Sequence, residues 1–342
     1  MALKNWMARN WFLLGLVVVV FLAWLFPDPG ASGGILRSQV LSRVGVVLIF
    51  FFQGLTLSLT VLRMGLLQWR LHLFVQIFVF LVIPLLAITM VTAGGGWMTE
   101  ELRLGFIFLA VLPTTIATSV AYTAMTGGNV AGAVFNSTFA NMAGIFITPL
   151  WIGMWLQAGG DTLPLGKLFL DISLMLLAPL LLGQLVRPVV SHWVDGHKKW
   201  FSIASSLIIL FIVHAAFCNS WKQNIWSAQG TETALVAAAG AVLLFFTAVG
   251  LCLAGTRLLG FDHANRMAAW FCAPQKTLAA GAPLANLIFV GHPGLGLILL
   301  PIMFYHPLQL LAGGFLINWV NQKRQRAGSD ADDRQPSIVE SP

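Results

Sequence analysis

The chain has 342 residues, of which 58% are hydrophobic and 9% charged, against roughly 25% charged in ordinary soluble domains. No soluble fold of that length hides so much apolar surface. The net charge of +7 does not point to nucleic acid either, because the basic residues lie in connections between apolar runs and form no stripe interleaved with aromatics.

Long apolar runs with short polar connections suit helices, which satisfy their own backbone hydrogen bonds in lipid. The chain therefore reads as an all-α polytopic membrane protein. Spans of about 20 residues fall near 11–26, 39–61, 70–92, 102–126, 129–157, 167–186, 201–219, 232–255, 266–289 and 294–320. The first run follows Lys4 and Arg9 as the core of a signal peptide would. It is longer than such a core and ends in Pro27-Asp28-Pro29 without a small-residue cleavage site, so it is taken as a span. Residues 1–321 form the transmembrane domain, and the polar tail 322–342 is expected to be a disordered cytoplasmic segment. Cys218, Cys252 and Cys272 sit in apolar runs without metal-ligand spacing and read as packing residues.

Orientation follows from Lys and Arg in the connections. With the N-terminus inside, the cytoplasmic side holds Lys4, Arg9, Arg63, Arg70, Arg187, Lys198, Lys199, Arg257, Arg266, Lys323, Arg324, Arg326 and Arg334, against Arg37, Arg43, Arg103, Lys167 and Lys222 outside. Both termini are therefore placed in the cytoplasm, in a plasma or bacterial inner membrane. Ten spans divide into two sets of five, over about 11–157 and 167–320, and a repeat with an odd number of spans is inverted in its second copy. Inverted repeats are a common transporter plan with the binding site where the copies meet.

Two proline-led polar interruptions occupy matching helices, the fourth and the ninth: Leu112-Pro-Thr-Thr-Ile-Ala-Thr-Ser119 and Ala273-Pro-Gln-Lys-Thr-Leu-Ala-Ala-Gly281. Proline frees carbonyls that hydrocarbon cannot satisfy, so such breaks belong beside a cavity. Thr114, Thr115, Thr118 and Ser119 on one break and Gln275, Lys276 and Thr277 on the other are the candidate substrate-binding residues. The bland alternative is that prolines merely kink helices while Ser and Thr pack between them. Lys276 is the sharpest residue, since an ionisable group at a helix centre costs at least ~2.5 kcal/mol in the membrane. Gln53, Gln76, Gln184, Asn136, Ser137, Asn141, His214 and Asn219 read more simply as helix bridges, and His306-Pro307 as a kink. No H-E-x-x-H or G-x-S-x-G occurs, so hydrolase chemistry has no support and the chain is not read as an enzyme.

The segments MARNWFLLG, RLHLFVQIF, GGNVAGAVFNSTF, PLLLGQLVRP, WFCAPQKTLAAGAPL and GHPGLGLILLPIMFYHPLQLLAG, spread over about residues 5–325, resemble the bile acid:sodium symporter superfamily and within it the solute carrier family 10 member 7-like branch. The resemblance implies a panel domain and a core domain, broken helices four and nine crossing in the core, and alternating access of a small organic anion. It implies no organic cofactor. In the sodium-coupled branch, an N-A-S-N-like run and an E-x-x-x-Q run hold two sodium ions. Here Thr118 and Ser119 inherit part of the first, and Gln275 keeps the glutamine of the second. Phe271 replaces the glutamate, and Lys276 follows where a neutral polar residue is common. Asn136, Ser137 and Asn141 fall in the stretch of the fifth helix that supplies further ligands, and Gln76 joins them as an ion-coupling candidate. Sodium needs several oxygen ligands, so the departures leave sodium coupling open and suggest the Lys276 ammonium in place of a cation. A non-transporting scaffold of the same fold and a cation or proton exchanger are the competing readings.

Overall fold

A computed structural model describes residues 11–57, 68–158, 165–224 and 232–332, and among them every regular element is helical. The helices are α1 (Trp11–Leu25), α2 (Ser38–Thr56), α3 (Trp69–Ala93), α4a (Glu100–Val111), α4b (Ala117–Met125), α5 (Val130–Ala158), α6 (Leu165–Lys222), α7 (Glu232–Leu258), α8a (His263–Cys272), α8b (Leu278–Ile288) and α9 (Leu295–Asp332). Among the described residues, six segments are long and apolar enough to cross a membrane: α2, α3, α5, Leu174–Lys222, α7 and Leu295–Lys323. The apolar helices α1 and α8b are shorter. The expected fourth and ninth spans are each divided in two, and α9 runs on to Asp332, into the segment expected to be disordered.

The sixth and seventh expected spans lie in one unbroken run of helical hydrogen bonds, α6. Gly54 of α2 packs on the backbone at Leu180 and Gly183, while Gly45 of the same helix packs on Ile208. Residues 45 and 54 lie about 13 Å apart along α2, whereas a straight helix would set 183 and 208 about 37 Å apart. The α6 rod therefore bends between these contacts and lays both of its halves along α2. Pro188 lies within the bent stretch, and the connecting residues SHWVDGHKK hold only one glycine, which is too little to stop a helix.

The C-terminal carbonyls of α2 are satisfied from α6. Gln184 Nε2 donates to Gly54 O at 2.7 Å and to Leu57 O at 2.9 Å, and Arg187 donates to Leu55 O. At the centre of the molecule, α4a is buried on all sides from Leu104 to Val111, as are Met267–Leu278. A helix apolar all round belongs inside a bundle, and the two interrupted helices accordingly occupy the middle.

A Cβ at Gly54 would overlap the Leu180 carbonyl. Overpacking costs about 1–3 kcal/mol, so Gly54→Val is expected to lower the midpoint of thermal unfolding in detergent by several degrees. Gly250→Val, at a position with open space around it, is expected to leave the midpoint unchanged.

Candidate functional site

Pro113 and Pro274 set the two interruptions. A proline has no N–H and disfavours helical geometry in the residue before it; Leu112 duly turns extended, at φ −67° and ψ 148°, whereas Ala273 keeps helical angles, at φ −70° and ψ −49°, and the chain is extended at Thr277. The chain re-enters helix at Ala117 and at Leu278, the latter capped by the Thr277 hydroxyl. The carbonyls left without helical partners are then captured one by one. Thr148 donates to Val111 O at 2.8 Å, the Thr277 amide to Pro113 O at 3.0 Å, and Asn141 Nδ2 to Thr114 O at 2.8 Å. On the other break, Tyr305 donates to Pro274 O at 2.6 Å and Gln309 Nε2 to Lys276 O at 2.8 Å, while Gln309 Oε1 accepts from Lys276 N at 2.8 Å.

The Lys276 side chain ties the breaks together. It is fully buried, and its Nζ donates to Ala110 O at 2.6 Å, Leu112 O at 2.8 Å and Val79 O at 2.9 Å. Three acceptors match the three N–H donors of an ammonium. Val79 lies in a π-helical turn of α3, Phe78–Val82, where a widened turn changes the i→i−4 pattern and lets a carbonyl face outward. The ammonium thus joins α3, α4a and the ninth-span break through backbone atoms alone.

Beside it the side-chain oxygens of both breaks converge. Gln275 Oε1 accepts from Thr115 at 2.7 Å, Thr118 at 2.9 Å and Ser119 at 3.1 Å. Thr115 also bonds Thr118, and Thr114 lies 3.4 Å from Ser119. The cluster contains no carboxylate, and Lys276, a cation, is the next residue to Gln275. Phe271 stacks edge-on against Tyr122 at 5.6 Å and offers no oxygen. The remaining ion-coupling candidates are Gln76 on α3 and Asn136, Ser137 and Asn141 on α5. Gln76 Nε2 bonds Asn136 O and Oδ1 at 3.1 and 3.2 Å, joining α3 to α5. Asn136 Nδ2 donates to Gly132 O at 2.9 Å, and Ser137 donates to Ala133 O. Of these, Asn141 alone bonds to the crossing, holding Ser137 O at 2.8 Å besides Thr114 O. Among the described residues no group of three His, Cys, Asp or Glu side chains could hold a metal ion.

A cavity of about 580 Å³ reaches this crossing, within the range usual for small-molecule sites. Thr115, Thr118, Asn141 and Thr277 line it, together with Gln53 and Thr56 of α2, Thr138 of α5, His306 of α9 and the Phe201–Ile209 stretch of α6. Thr114, Ser119, Gln275, Lys276, Asn136, Ser137 and Gln76 stand behind that surface. The first residues of α4b and α8b border the cavity, so two helix N-termini with their positive dipole ends face it, the Ala280 amide of α8b being taken by the Thr277 cap. Among the described residues Lys198 is its one charged lining residue, and it pairs with Asp195 at 3.0 Å, which in turn pairs with Arg187 at 3.2 Å.

Sequence reasoning missed Lys198, His306, Tyr305 and Gln309 as parts of the site. Tyr305 and Gln309 carried a signal, because two polar residues four apart in an apolar span share one helix face. His306, read as part of a kink, lies within α9 and accepts from Gln309 Nε2 at 3.0 Å in the tautomer this requires.

Residues 10–322 match the SBF-like CPA transporter family. The chain is 31% identical over 316 residues to Sodium/bile acid cotransporter 7 of Mus musculus, covering 90% of this chain and 92% of the relative. It is 33% identical over 303 residues to the Putative symporter YfeH of Escherichia coli K12, covering 88% and 89%. The Danio rerio Sodium/bile acid cotransporter 7 is 32% identical over 316 residues, covering 90% and 93%.

Lys276→Met would leave three buried carbonyls bare, each worth about 1–3 kcal/mol when unsatisfied. The unfolding midpoint of this variant is expected to fall well below that of Thr118→Val, measured side by side in the same detergent. Equal midpoints would show that the ammonium is not what holds the crossing.

Proposed function

The chain belongs to the SBF-like CPA transporter family, and from that premise we propose that it is a secondary active transporter of an organic anion that works by alternating access. Membership already makes it a multi-pass membrane transporter and not an enzyme; the substrate class and mechanism are the further step. The observation that carries the step is the electrostatic character of the 580 Å³ cavity. Two helix N-termini and Lys198, itself paired with Asp195, border it, and among the described residues no carboxylate lines it. Such a surface favours negative charge, and the apolar walls supplied by Ile49, Phe52, Phe201 and Ile209 suit an amphipathic body. A bile acid or another amphipathic carboxylate has both parts, in keeping with the names of the mouse and zebrafish relatives.

In this reading the anion takes the O–H groups of Thr115 and Thr118 from Gln275 Oε1, to which both donate in this structure, and that of Thr277, while Ser119 keeps its bond to Gln275 and Thr114 stands beside Ser119. Lys276 takes the place of a bound cation, held by backbone carbonyls as an alkali ion would be; being fixed, it supplies positive charge to the site and does not itself carry a gradient. A sodium ion in the Thr118, Ser119 and Gln275 cluster would have no carboxylate to balance it and would meet the neighbouring ammonium, so flux is independent of sodium. The matching breaks and the five-and-five division support an inverted-repeat plan of about ten spans. The excess of Lys and Arg on the side of residues 187–199 supports a cavity open to the cytoplasm with both termini on that side.

The test is uptake of labelled taurocholate and of a panel of aliphatic and aromatic carboxylates into proteoliposomes, in sodium or choline buffer. Saturable uptake of at least one anion is expected, equal in the two salts. Because each lost hydrogen bond to a charged group is worth about 1.5–3 kcal/mol, Thr118→Val is expected to lower uptake by roughly tenfold or more. Saturable flux for none of the anions would favour a non-transporting scaffold, and dependence on sodium would return the Gln275 cluster to an ion site.

A further inference from the structure

A second cavity, of about 130 Å³, lies at the opposite end of α2 from the large one. Its walls come from the start of α2, the last turns of α6 and the end of α8b. Val46, Ile212 and Val213 are fully buried on the helices between the two cavities. Its volume is less than a quarter of the other's, so it does not suit an amphipathic substrate.

Two of its lining hydroxyls are anomalous. Ser38 and Ser42 are each 1% exposed, and neither Oγ has a hydrogen-bond partner. Ser42, one turn into α2, would ordinarily donate to the carbonyl one turn back; Ser38 opens the helix and has no such carbonyl, and a buried hydroxyl with no partner is costly. One turn apart, these two share a face of α2. Among the described residues Arg43, which follows Ser42, is the one charged residue lining the cavity and has no ion pair, while Asn219 and Asn286 add amides. Asn219 is already engaged, its Oδ1 accepting from Ser32 N at 2.7 Å.

We propose that this cavity is a binding site for a small oxyanion (phosphate, sulfate or a carboxylate head group), with the Ser38 and Ser42 hydroxyls as donors and the Arg43 guanidinium as its counter-charge. Hydroxyls alone would serve either sign of ion; the guanidinium excludes a cation and provides the planar donor pair that oxyanions favour. The missing hydrogen bonds of the two serines are then those the anion completes. The site stands apart from the large cavity and does not depend on what that cavity transports.

The test is thermal unfolding of the purified full-length protein in neutral detergent, at constant ionic strength, with sodium phosphate, sulfate or acetate replacing chloride, and separately with phosphatidylglycerol added to the micelles. At least one oxyanion is expected to raise the midpoint saturably, by about 5 °C at a hundredfold excess over Kd. A response to the free ions assigns a soluble ligand, and a response to phosphatidylglycerol alone assigns a lipid head group. Arg43→Gln, an exposed change that leaves packing alone, is expected to abolish the shift. Ser38→Ala/Ser42→Ala is expected to abolish it too while unfolding no earlier than wild type without ligand, because the partnerless hydroxyls are gone. Thr118→Val in the large cavity is expected to keep it, so that failure of the transport reading and failure of this one are distinct. No saturable shift with any probe, or a shift that survives Arg43→Gln, would overturn the proposal.

Discussion

A backbone carbonyl buried in a membrane protein must find a donor, and the centre of this molecule is organised by that requirement. Two prolines break two buried helices, and the carbonyls of Ala110 and Leu112 at one break and of Val79 in the π-helical turn of α3 converge on one ammonium. Burying the charge of Lys276 is costly by itself, and leaving three carbonyls bare is costly as well. Each cost cancels much of the other, and neither partner could be removed alone. The remaining carbonyls go to Thr148, Asn141, Thr277, Tyr305 and Gln309, so the fifth span and the last one become props of the crossing.

The consequences for the cavity follow. Once the carbonyls are committed inward, what the breaks present to open space is their hydroxyls and the N-terminal ends of α4b and α8b. A cation looking for carbonyl ligands finds them occupied, while an anion finds dipole ends and donors. The polarity of the site is thus fixed by which backbone atoms Lys276 withdraws from it. In the transport reading this gives the lysine a role in selectivity although its side chain lies behind the cavity wall.

Much of this was legible in the residues. Proline followed by hydroxyls in two apolar runs marked both breaks, and a lone lysine in one of them marked the most constrained position. The partners of that lysine were not legible, because they are backbone carbonyls, and one of them depends on a π-helical turn that Phe-Val-Phe-Leu-Val does not announce. Distance along the chain hid Gln309 and Tyr305, whose tasks exist only once α9 packs beside the ninth-span break. The expected sixth and seventh spans share one continuous helix, and the polar stretch between them stays helical, since propensity alone cannot tell a bent helix from a loop. Gln53 looked like a helix bridge until α2 was seen to form a cavity wall.

The central claim is that the two broken helices receive an anion while Lys276 stands in for a cation. It is tested most directly by an experimental structure of the protein with a bound organic carboxylate in sodium-free buffer. The account predicts density for the carboxylate beside Thr115, Thr118 and Thr277 at the N-termini of α4b and α8b, with the Lys276 ammonium still on its three carbonyls. Density for the anion against the Lys276 ammonium itself, or a requirement for sodium bound among Thr118, Ser119 and Gln275, would contradict it.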